Sequence, residues 1–252
     1  MIRVKSIHVG ERLLPLSFNL APGTITHVIG PNGSGKSTLL SSLSGVGAEY
    51  KGQVQFDDVD LANISVTDLA LYRAYLSQNA RPAFNLEVFQ FLSLSIPACA
   101  KENDPAIQQA LDDITSMLEI SDKLHRSIQA LSGGEWQRVR LAAMCLQVWP
   151  SLNPYAQLLI LDEPGAPLDI AQEALLYQLI DRVSELGITV IMANHDLNKT
   201  LRHADQVLLL DKGVLQSCGN AADVLTPDNL EKVFKTKVRS VSVEGDDYLL
   251  FG

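Results

Sequence analysis

The chain has 252 residues, 46% of them hydrophobic, and a formal net charge of −9. This length suits one large domain or two small ones with a self-sufficient core. The negative charge argues against a duplex-DNA partner, because that binding depends on Lys and Arg neutralising phosphates. The three cysteines lie far apart without a CxxC pair, which indicates a reducing compartment and neither a metal site nor a disulfide. We expect no signal peptide and no membrane span, since no apolar run approaches the roughly 20 residues a membrane helix needs.

Alternating strand and helix patterns predict an α/β fold with a parallel sheet covered by helices on both faces. Three short apolar runs bounded by polar residues read as buried strands: Thr24–Ile29, Leu158–Leu161 and Ile188–Met192. Helical sequence covers Lys36–Leu43 and Ile170–Leu186. Two further β-rich stretches, Gly52–Phe56 and the tail Val241–Phe251, predict an added antiparallel portion.

The middle of the chain has a different pattern. Apolar residues recur there at helical spacing, as in Leu111, Ile114 and Leu118, and prolines at 82, 97 and 105 predict helix boundaries. We therefore interpret residues 86–148, approximately, as a helical subdomain inserted into one α/β core, within a single domain spanning 1–252.

A phosphate-binding loop is the strongest local signal. Residues 30–37 match the pattern G-x-x-x-x-G-K-[ST]: Gly30, Pro31, Asn32, Gly33, Ser34, Gly35, Lys36 and Ser37, with Thr38 next on the helix. Glycines let successive N–H groups converge on a phosphate at the positive end of the helix. We expect Lys36 to meet the β- and γ-phosphates of ATP and Ser37 to ligate Mg²⁺. A chance glycine-rich turn is the alternative, and the preceding strand and following helix argue against it.

A second site follows the second predicted strand, which ends in Asp162 and Glu163. Ligands bind at the carboxyl ends of strands in open parallel sheets. Asp162 is suited to hold Mg²⁺ through a water, and Glu163 to activate the attacking water. The alternative is a pair of acids capping the next helix.

The third strand is followed by His195, which we expect to contact the γ-phosphate, although a lone histidine is more often structural. We interpret the next residue, Asp196, as the N-cap of a helix over Leu197–Leu201.

Residues 131–138, LSGGEWQR, look by themselves like a helix start that presents N–H groups to an anion, or like a mere helix cap. This run closely resembles the signature motif of the ATP-binding-cassette (ABC) ATPases, and the resemblance covers nearly the whole chain. It implies a P-loop NTPase fold with a RecA-like core and hydrolysis of Mg-ATP.

The resemblance also implies roles for single residues. Gln78 matches the family's Q-loop glutamine, which contacts ATP and Mg²⁺ and links to the transport subunit. His195 matches its switch histidine. The family works as a head-to-tail pair, so the signature of one copy would close over ATP held by Lys36 of the other. The signature residues are Ser132, Gly133, Gly134, Glu135 and Gln137.

The chain departs from the family pattern in two places. Residues 1–17 contain no Phe, Tyr or Trp to stack on adenine. Residues 165–169, GAPLD, lack the usual serine of the D-loop, which the family uses across the dimer.

Within the family, the motifs around Gln78, residues 131–143 and residues 195–204 resemble the ATPase subunits of bacterial vitamin B12 (cobalamin) importers. The implied partners are a second copy, two transmembrane permease subunits and, indirectly, a periplasmic binding protein, with no nucleic acid. The implied location is peripheral, on the cytoplasmic face of the inner membrane. Import of ferric siderophores or haem is the alternative, followed by a soluble ABC ATPase acting on ribosomes or DNA. A module that binds nucleotide without turnover would be expected to lack Glu163 or Lys36.

Overall fold

The computed structural model describes residues 1–47, 49–78, 81–101 and 103–252. In chain order the strands are β1 (Ile2–Val9), β2 (Leu13–Leu20), β3 (Ile25–Ile29), β4 (Lys51–Phe56), β5 (Val59–Asp60), β6 (Arg73–Leu76), β7 (Leu158–Asp162), β8 (Thr189–Ala193), β9 (Gln206–Asp211), β10 (Val214–Gly219), β11 (Val238–Val243) and β12 (Asp246–Phe251). The helices are α1 (Lys36–Ser44), α2 (Val66–Tyr72), α3 (Val88–Ser93), α4 (Pro105–Met117), α5 (Gly133–Val148), α6 (Ile170–Glu185), α7 (Leu197–His203), α8 (Ala221–Val224) and α9 (Pro227–Phe234). Single 3₁₀ turns lie at Leu61–Asn63, Ser121–Lys123 and Ile128–Ala130.

The chain divides into two compact units, and strand β8 contains the boundary in sequence. Unit 1 comprises Met1–Asn63 with Ile191–Gly252, and unit 2 comprises Ile64–Val190. Each unit contains parallel strand pairing, β3 with β9 in unit 1 and β6 with β7 in unit 2. The predicted α/β class is therefore confirmed.

Unit 1 combines parallel and antiparallel pairing. An antiparallel sheet has the strand order β2-β1-β4-β5, and β10 pairs antiparallel with β9. The C-terminal strands β11 and β12 form a two-stranded sheet of their own. Glu244 and Gly245 join them with φ of 55° and 96°, the positive values that a tight hairpin turn requires. Both β-rich stretches are thus antiparallel as predicted, but they belong to separate sheets.

The predicted strands and helices in the other parts of the chain also form. All five residues of β3, β7 and β8 are buried, as expected of strands covered on both faces. Helix α4 begins at Pro105 with Asp104 as its N-cap, which confirms one of the predicted boundaries. Between residues 88 and 148, the regular elements in the described ranges are all helical.

Helix α5 forms the centre of unit 2. It packs against β6, α3, α4 and α6, and ten of its 16 residues are buried. A helix that is buried nearly all round cannot turn a wholly polar face to water, so its polar side chains need partners inside the unit. In the described residues, no helix combines the length and apolar character needed to cross a bilayer.

His27 on β3 is fully buried in unit 1. Its Nδ1 lies 3.0 Å from Oγ1 of Thr200 on α7 and 3.4 Å from Nδ2 of Asn194. Burial, and then the positive charge of nearby His203, lowers the pKa of His27 from 6.5 to about 3. The imidazole is therefore neutral in the folded protein at physiological pH.

This burial predicts acid sensitivity. Below pH 6.5 the unfolded chain binds a proton at His27 that the folded chain does not bind until about pH 3, so stability falls as the pH falls through that window. Going from pH 7 to pH 5 should cost about 2 kcal/mol of unfolding free energy through this group. Chemical denaturation of wild type and His27→Leu at both pH values measures it. The variant should lose about 2 kcal/mol less than wild type, and equal losses would contradict the prediction.

Candidate functional site

The phosphate loop of unit 1 connects β3 to α1 and depends on two glycines. Gly30 has φ of 150°, and a Cβ there would lie 2.1 Å from the carbonyl oxygen of Leu210. Gly35 caps α1 with φ of 104°, and a Cβ there would lie 3.0 Å from the carbonyl oxygen of Arg12. Any side chain at Gly30 would collide with backbone, so the glycine spacing of the motif has a direct steric cause.

The side chain of Lys36 lies back over this loop and is only 5% exposed. Its Nζ donates to the carbonyl oxygens of Gly30 at 2.9 Å and Pro31 at 3.3 Å. Helix α1 has no acidic residue in its first turn, so no carboxylate there opposes the positive end of the helix dipole. The loop thus concentrates an ammonium, a helix N-terminus and backbone amides in one place, as anion binding requires.

The remaining loop residues fit a polyphosphate with Mg²⁺. The hydroxyl of Ser34 is buried and has no hydrogen-bond partner among the described residues, so it is free to meet a ligand oxygen. Pro31, Asn32 and Gly33 lie at the surface or half-buried, the hydroxyl-bearing Ser37 is exposed, and Thr38 is half-buried. Hydroxyl and carboxylate oxygens, as in Ser37 and Asp162, are the ligands that Mg²⁺ prefers.

The loop after β8 also belongs to unit 1 from residue 191 onward. The backbone N–H of Asn194 donates to the Val28 carbonyl at 3.1 Å, so the exposed His195 follows a residue fixed to β3 just before the phosphate loop. Asp196 caps α7, its carboxylate accepting from the Lys199 N–H at 2.9 Å. The predicted N-cap is confirmed, and the helix runs two residues beyond the predicted end, to His203.

In unit 2, strand β7 ends at the two predicted carboxylates. Asp162 is 4% exposed. Burial of the Tyr75 side chain, and then the negative charge of Asp162, raises the pKa of Tyr75 to about 12. Glu163 has φ of 52°, a left-handed conformation that costs energy for any residue with a Cβ. Its Oε2 accepts a hydrogen bond from Nε2 of Gln78 at 2.6 Å. The structure therefore brings the predicted Q-loop glutamine and the predicted water-activating carboxylate into contact.

The signature residues begin helix α5. Ser132 and Glu135 form a reciprocal capping box, with Oγ of Ser132 accepting from the Glu135 N–H at 3.2 Å and Oε2 of Glu135 from the Ser132 N–H at 2.8 Å. The hydrogen bond that the Ser132 backbone N–H donates to the carboxylate is the main cause of the lowered pKa of Glu135. Ser132 and Gly133 are exposed. At Gly134 a Cβ would lie 2.2 Å from Oε1 of Gln172, so the end of that side chain on α6 would have to move to admit one.

Gln137, the fifth predicted signature residue, is engaged inside its own chain. It is 4% exposed, and its Nε2 donates to the Pro164 carbonyl at 2.8 Å. Pro164 directly follows Glu163, so the signature helix contacts the backbone next to the carboxylate.

Two arginines that the sequence did not single out lie in the same part of unit 2. Arg140 donates to Oε1 of Gln137 at 3.0 Å and to the Ser77 carbonyl. Arg81 donates to the Leu131 carbonyl at 3.1 Å, and its guanidinium lies 5.6 Å from the ring centre of Trp136. The position of Arg140 one helical turn after Gln137 was the available signal.

These side chains surround a cavity of about 430 Å³ within unit 2. Its lining residues are Gln78, Arg81, Gly133, Trp136, Gln137, Arg140, Asp162, Glu163, Ala166 and Pro167. The lining of this one cavity thus includes two guanidinium groups and two carboxylates. The described residues contain no cluster of three or more His, Cys, Asp or Glu side chains arranged to hold a metal ion.

Known proteins resemble this chain over its whole length. A 69% identical protein of Vibrio atlanticus (strain LGP32) and a 58% identical one of Vibrio cholerae serotype O1 (strain M66-2) are both named vitamin B12 import ATP-binding protein BtuD, and the matches cover 100% of each chain.

Solved structures share the fold at low sequence identity. An ATP-binding subunit of an ABC transporter aligns with a TM-score of 0.77 at 22% identity, covering 88% of this chain and 91% of that one. The cbiO1 protein of Clostridium perfringens, part of the ABC transporter complex cbiONQ, aligns with a TM-score of 0.74 at 24% identity, covering 92% of both chains.

The family model described as ABC transporter matches residues 13–166, which include the phosphate loop, the signature and the β7 carboxylates. With the relatives above, this match confirms the resemblance that the signature motif indicated. The chain belongs to the ABC transporter family, as one of its ATP-binding proteins.

Proposed function

We propose that this chain is the ATP-hydrolysing subunit of a bacterial importer and that it energises uptake of vitamin B12 (cobalamin). The full-length 69% identity to a vitamin B12 import ATP-binding protein carries the choice of substrate. The glycine loop with its buried Lys36 supports the choice of nucleotide, because its amides and ammonium suit a polyphosphate.

The proposed roles follow the chemistry of each side chain. Backbone amides of residues 30–38 and the Lys36 ammonium hold the phosphates of ATP. Glu163 accepts the proton of the attacking water, a step a carboxylate can perform when it is held at hydrogen-bond distance from that water. His195 contacts the γ-phosphate.

Mg²⁺ fits the proposed site because its donors are hard oxygens. Ser37, Asp162 (through a water) and Gln78 would hold the ion, which supplies charge stabilisation to the transferring phosphoryl group. In the structure Nε2 of Gln78 donates to Oε2 of Glu163. A carboxylate accepts several hydrogen bonds at once, so Glu163 can meet a water while this contact is kept.

The proposed assembly contains two copies of the chain, head to tail, on the cytoplasmic face of the inner membrane, bound to two permease subunits that span it. A periplasmic binding protein would act through the permeases. The exposed Ser132 and Gly133, with the N–H groups that begin α5, would complete the nucleotide site of the partner copy. We further propose that residues 86–148 act as a helical subdomain within one ABC ATPase domain spanning 1–252.

Transport tests the substrate directly. The chain, combined with its membrane subunits in vesicles, should drive ATP-dependent accumulation of cobalamin. Vesicles with the Glu163→Gln chain serve as the control, since this chain should bind ATP but the vesicles should not accumulate cobalamin. Accumulation of a ferric siderophore or haem in place of cobalamin would contradict the proposed substrate while leaving the ATPase assignment intact.

The general-base role predicts the behaviour of Glu163→Gln. The amide keeps the shape of the side chain but cannot accept the water's proton, so kcat should fall at least about 100-fold while ATP still binds. The bound ATP should hold the variant as a dimer, detectable by gel filtration. Glu185→Gln, on the exposed end of α6, is the matched control and should keep wild-type kcat. Full turnover in Glu163→Gln would remove Glu163 from this role.

The phosphate loop predicts a loss of affinity in Lys36→Ala. Removing one charge-assisted contact should weaken ATP binding roughly 30-fold or more. Fluorescence titration with an ATP analogue measures the change, and Lys51→Ala, an exposed lysine at the start of β4, is the control. Equal affinity in the Lys36 variant and wild type would exclude Lys36 from the site.

A further inference from the structure

The side chains of Gln78, Gln137 and Arg140 close a ring of contacts in unit 2. Gln78 bonds to Glu163 at 2.6 Å, the next residue Pro164 accepts from Gln137 at 2.8 Å, and Gln137 accepts from Arg140 at 3.0 Å. Arg140 then donates to the carbonyl of Ser77, which precedes Gln78. The ring therefore fixes the backbone next to both Gln78 and Glu163.

We propose that Arg140 is a positioning residue for hydrolysis, which holds Gln78 and Glu163 in place by binding the Ser77 carbonyl and the Gln137 side chain. The proposal rests on the proposed roles of Gln78 and Glu163. In the ring, Arg140 donates to the Gln137 side chain and to the Ser77 carbonyl, and it acts on Gln78 and Glu163 only through these two groups.

A guanidinium suits this position because it carries several N–H donors in one rigid plane. Nη1 of Arg140 serves Gln137 and Nη2 serves Ser77, so one side chain bridges two segments 60 residues apart. Arg140 is half-buried and has lost part of its hydration, which lowers its pKa. Hydrogen bonds to a charged donor are stronger in such surroundings than at the surface.

The arginine also fixes the orientation of the buried Gln137 amide. An amide has one end that accepts and one that donates. Because Oε1 of Gln137 accepts from Arg140, its NH₂ group points to the Pro164 carbonyl. Without Arg140, the bond to the Pro164 carbonyl alone would orient the amide, so the contact beside Glu163 would be held less firmly.

Glu163 needs such support because its backbone lies at φ of 52°. A non-glycine residue keeps a left-handed conformation only where the surrounding contacts fix it. The ring supplies one contact to the Glu163 side chain, from Gln78, and one to the following carbonyl, from Gln137. Loss of Arg140 weakens both, so the chemical step should slow. The phosphate-loop residues 30–38 take no part in the ring, and Gln78 would act on the nucleotide through the ion, so ATP affinity measured without Mg²⁺ should stay the same.

The test compares Arg140→Met with wild type in the purified full-length chain, measuring kcat, KM, ATP affinity and thermal stability. Methionine keeps the apolar stem and helix propensity but has no donor. We expect kcat to fall about tenfold, with ATP affinity within about twofold of wild type. Arg182→Met, an exposed arginine on α6, is the matched control and should keep wild-type values. Unchanged kcat in Arg140→Met would overturn the proposal.

A double-mutant cycle separates positioning from general stabilisation. If Arg140 acts through Gln78 and the carboxylate it contacts, Arg140→Met should lower kcat less in a Gln78→Ala background than in wild type. Equal, additive losses in both backgrounds would contradict the proposal, as would a loss of kcat that only follows a loss of folded protein.

A second variant covers the case in which Arg140→Met does not fold. Arg140→Lys keeps the charge, but its N–H donors all lie on one nitrogen, so it cannot bind the Ser77 carbonyl and Gln137 with the two spaced nitrogens of a guanidinium. Its kcat should fall severalfold at unchanged ATP affinity, and wild-type kcat would overturn the proposal. Inactivity of Glu163→Gln alongside a fully active Arg140 variant would reject this inference alone, whereas full activity of Glu163→Gln would reject the proposed site itself.

Discussion

The site depends first on a buried positive charge. The Lys36 ammonium lies over its own loop at 5% exposure, held by the carbonyl oxygens of Gly30 and Pro31. Burying a charge is costly unless its surroundings compensate, and a polyphosphate supplies formal negative charge where carbonyls supply only dipoles. The loop can hold the ammonium there only because Gly30 lets the backbone approach Leu210 closely. The steric and the electrostatic requirement therefore fall on the same eight residues.

The second requirement is that the carboxylate of Glu163 is held in one position. Glu163 combines a strained backbone with a side chain bound to Gln78, and the residue after it is held from helix α5. Strain of this kind persists where neighbouring contacts fix it, and it commonly marks functional positions. Unit 2 thus holds this short segment by polar contacts, of which the bond from Gln137 to Pro164 is buried. A helix buried nearly all round needs partners for its polar side chains, and Gln137 and Arg140 find them there.

The sequence predicted the parts of the molecule that local patterns determine. Strands β3, β7 and β8 are short apolar runs bounded by polar residues, and Asp196 is the N-cap of the helix that follows it. Strand β1 was not predicted, because Ser6 at φ of 47° breaks its alternation and shifts its register with β2. The contact of Arg140 with Ser77 was also missed, since the group it binds is the backbone carbonyl of a residue 63 positions away. Every residue type has a backbone carbonyl, so the residue at position 77 does not predict that contact.

Helix α5 joins two parts of the proposed site within one chain. Its first turn exposes Ser132 and Gly133, while its second turn buries Gln137 against the carbonyl that follows Glu163. An α-helix is rigid over so few residues, because each turn is bonded to the next. A partner that shifts Ser132 along the helix axis must therefore also shift Gln137, and with it the support of Glu163. Contact at the exposed end and positioning of the carboxylate are in this way linked through about five residues of a single helix.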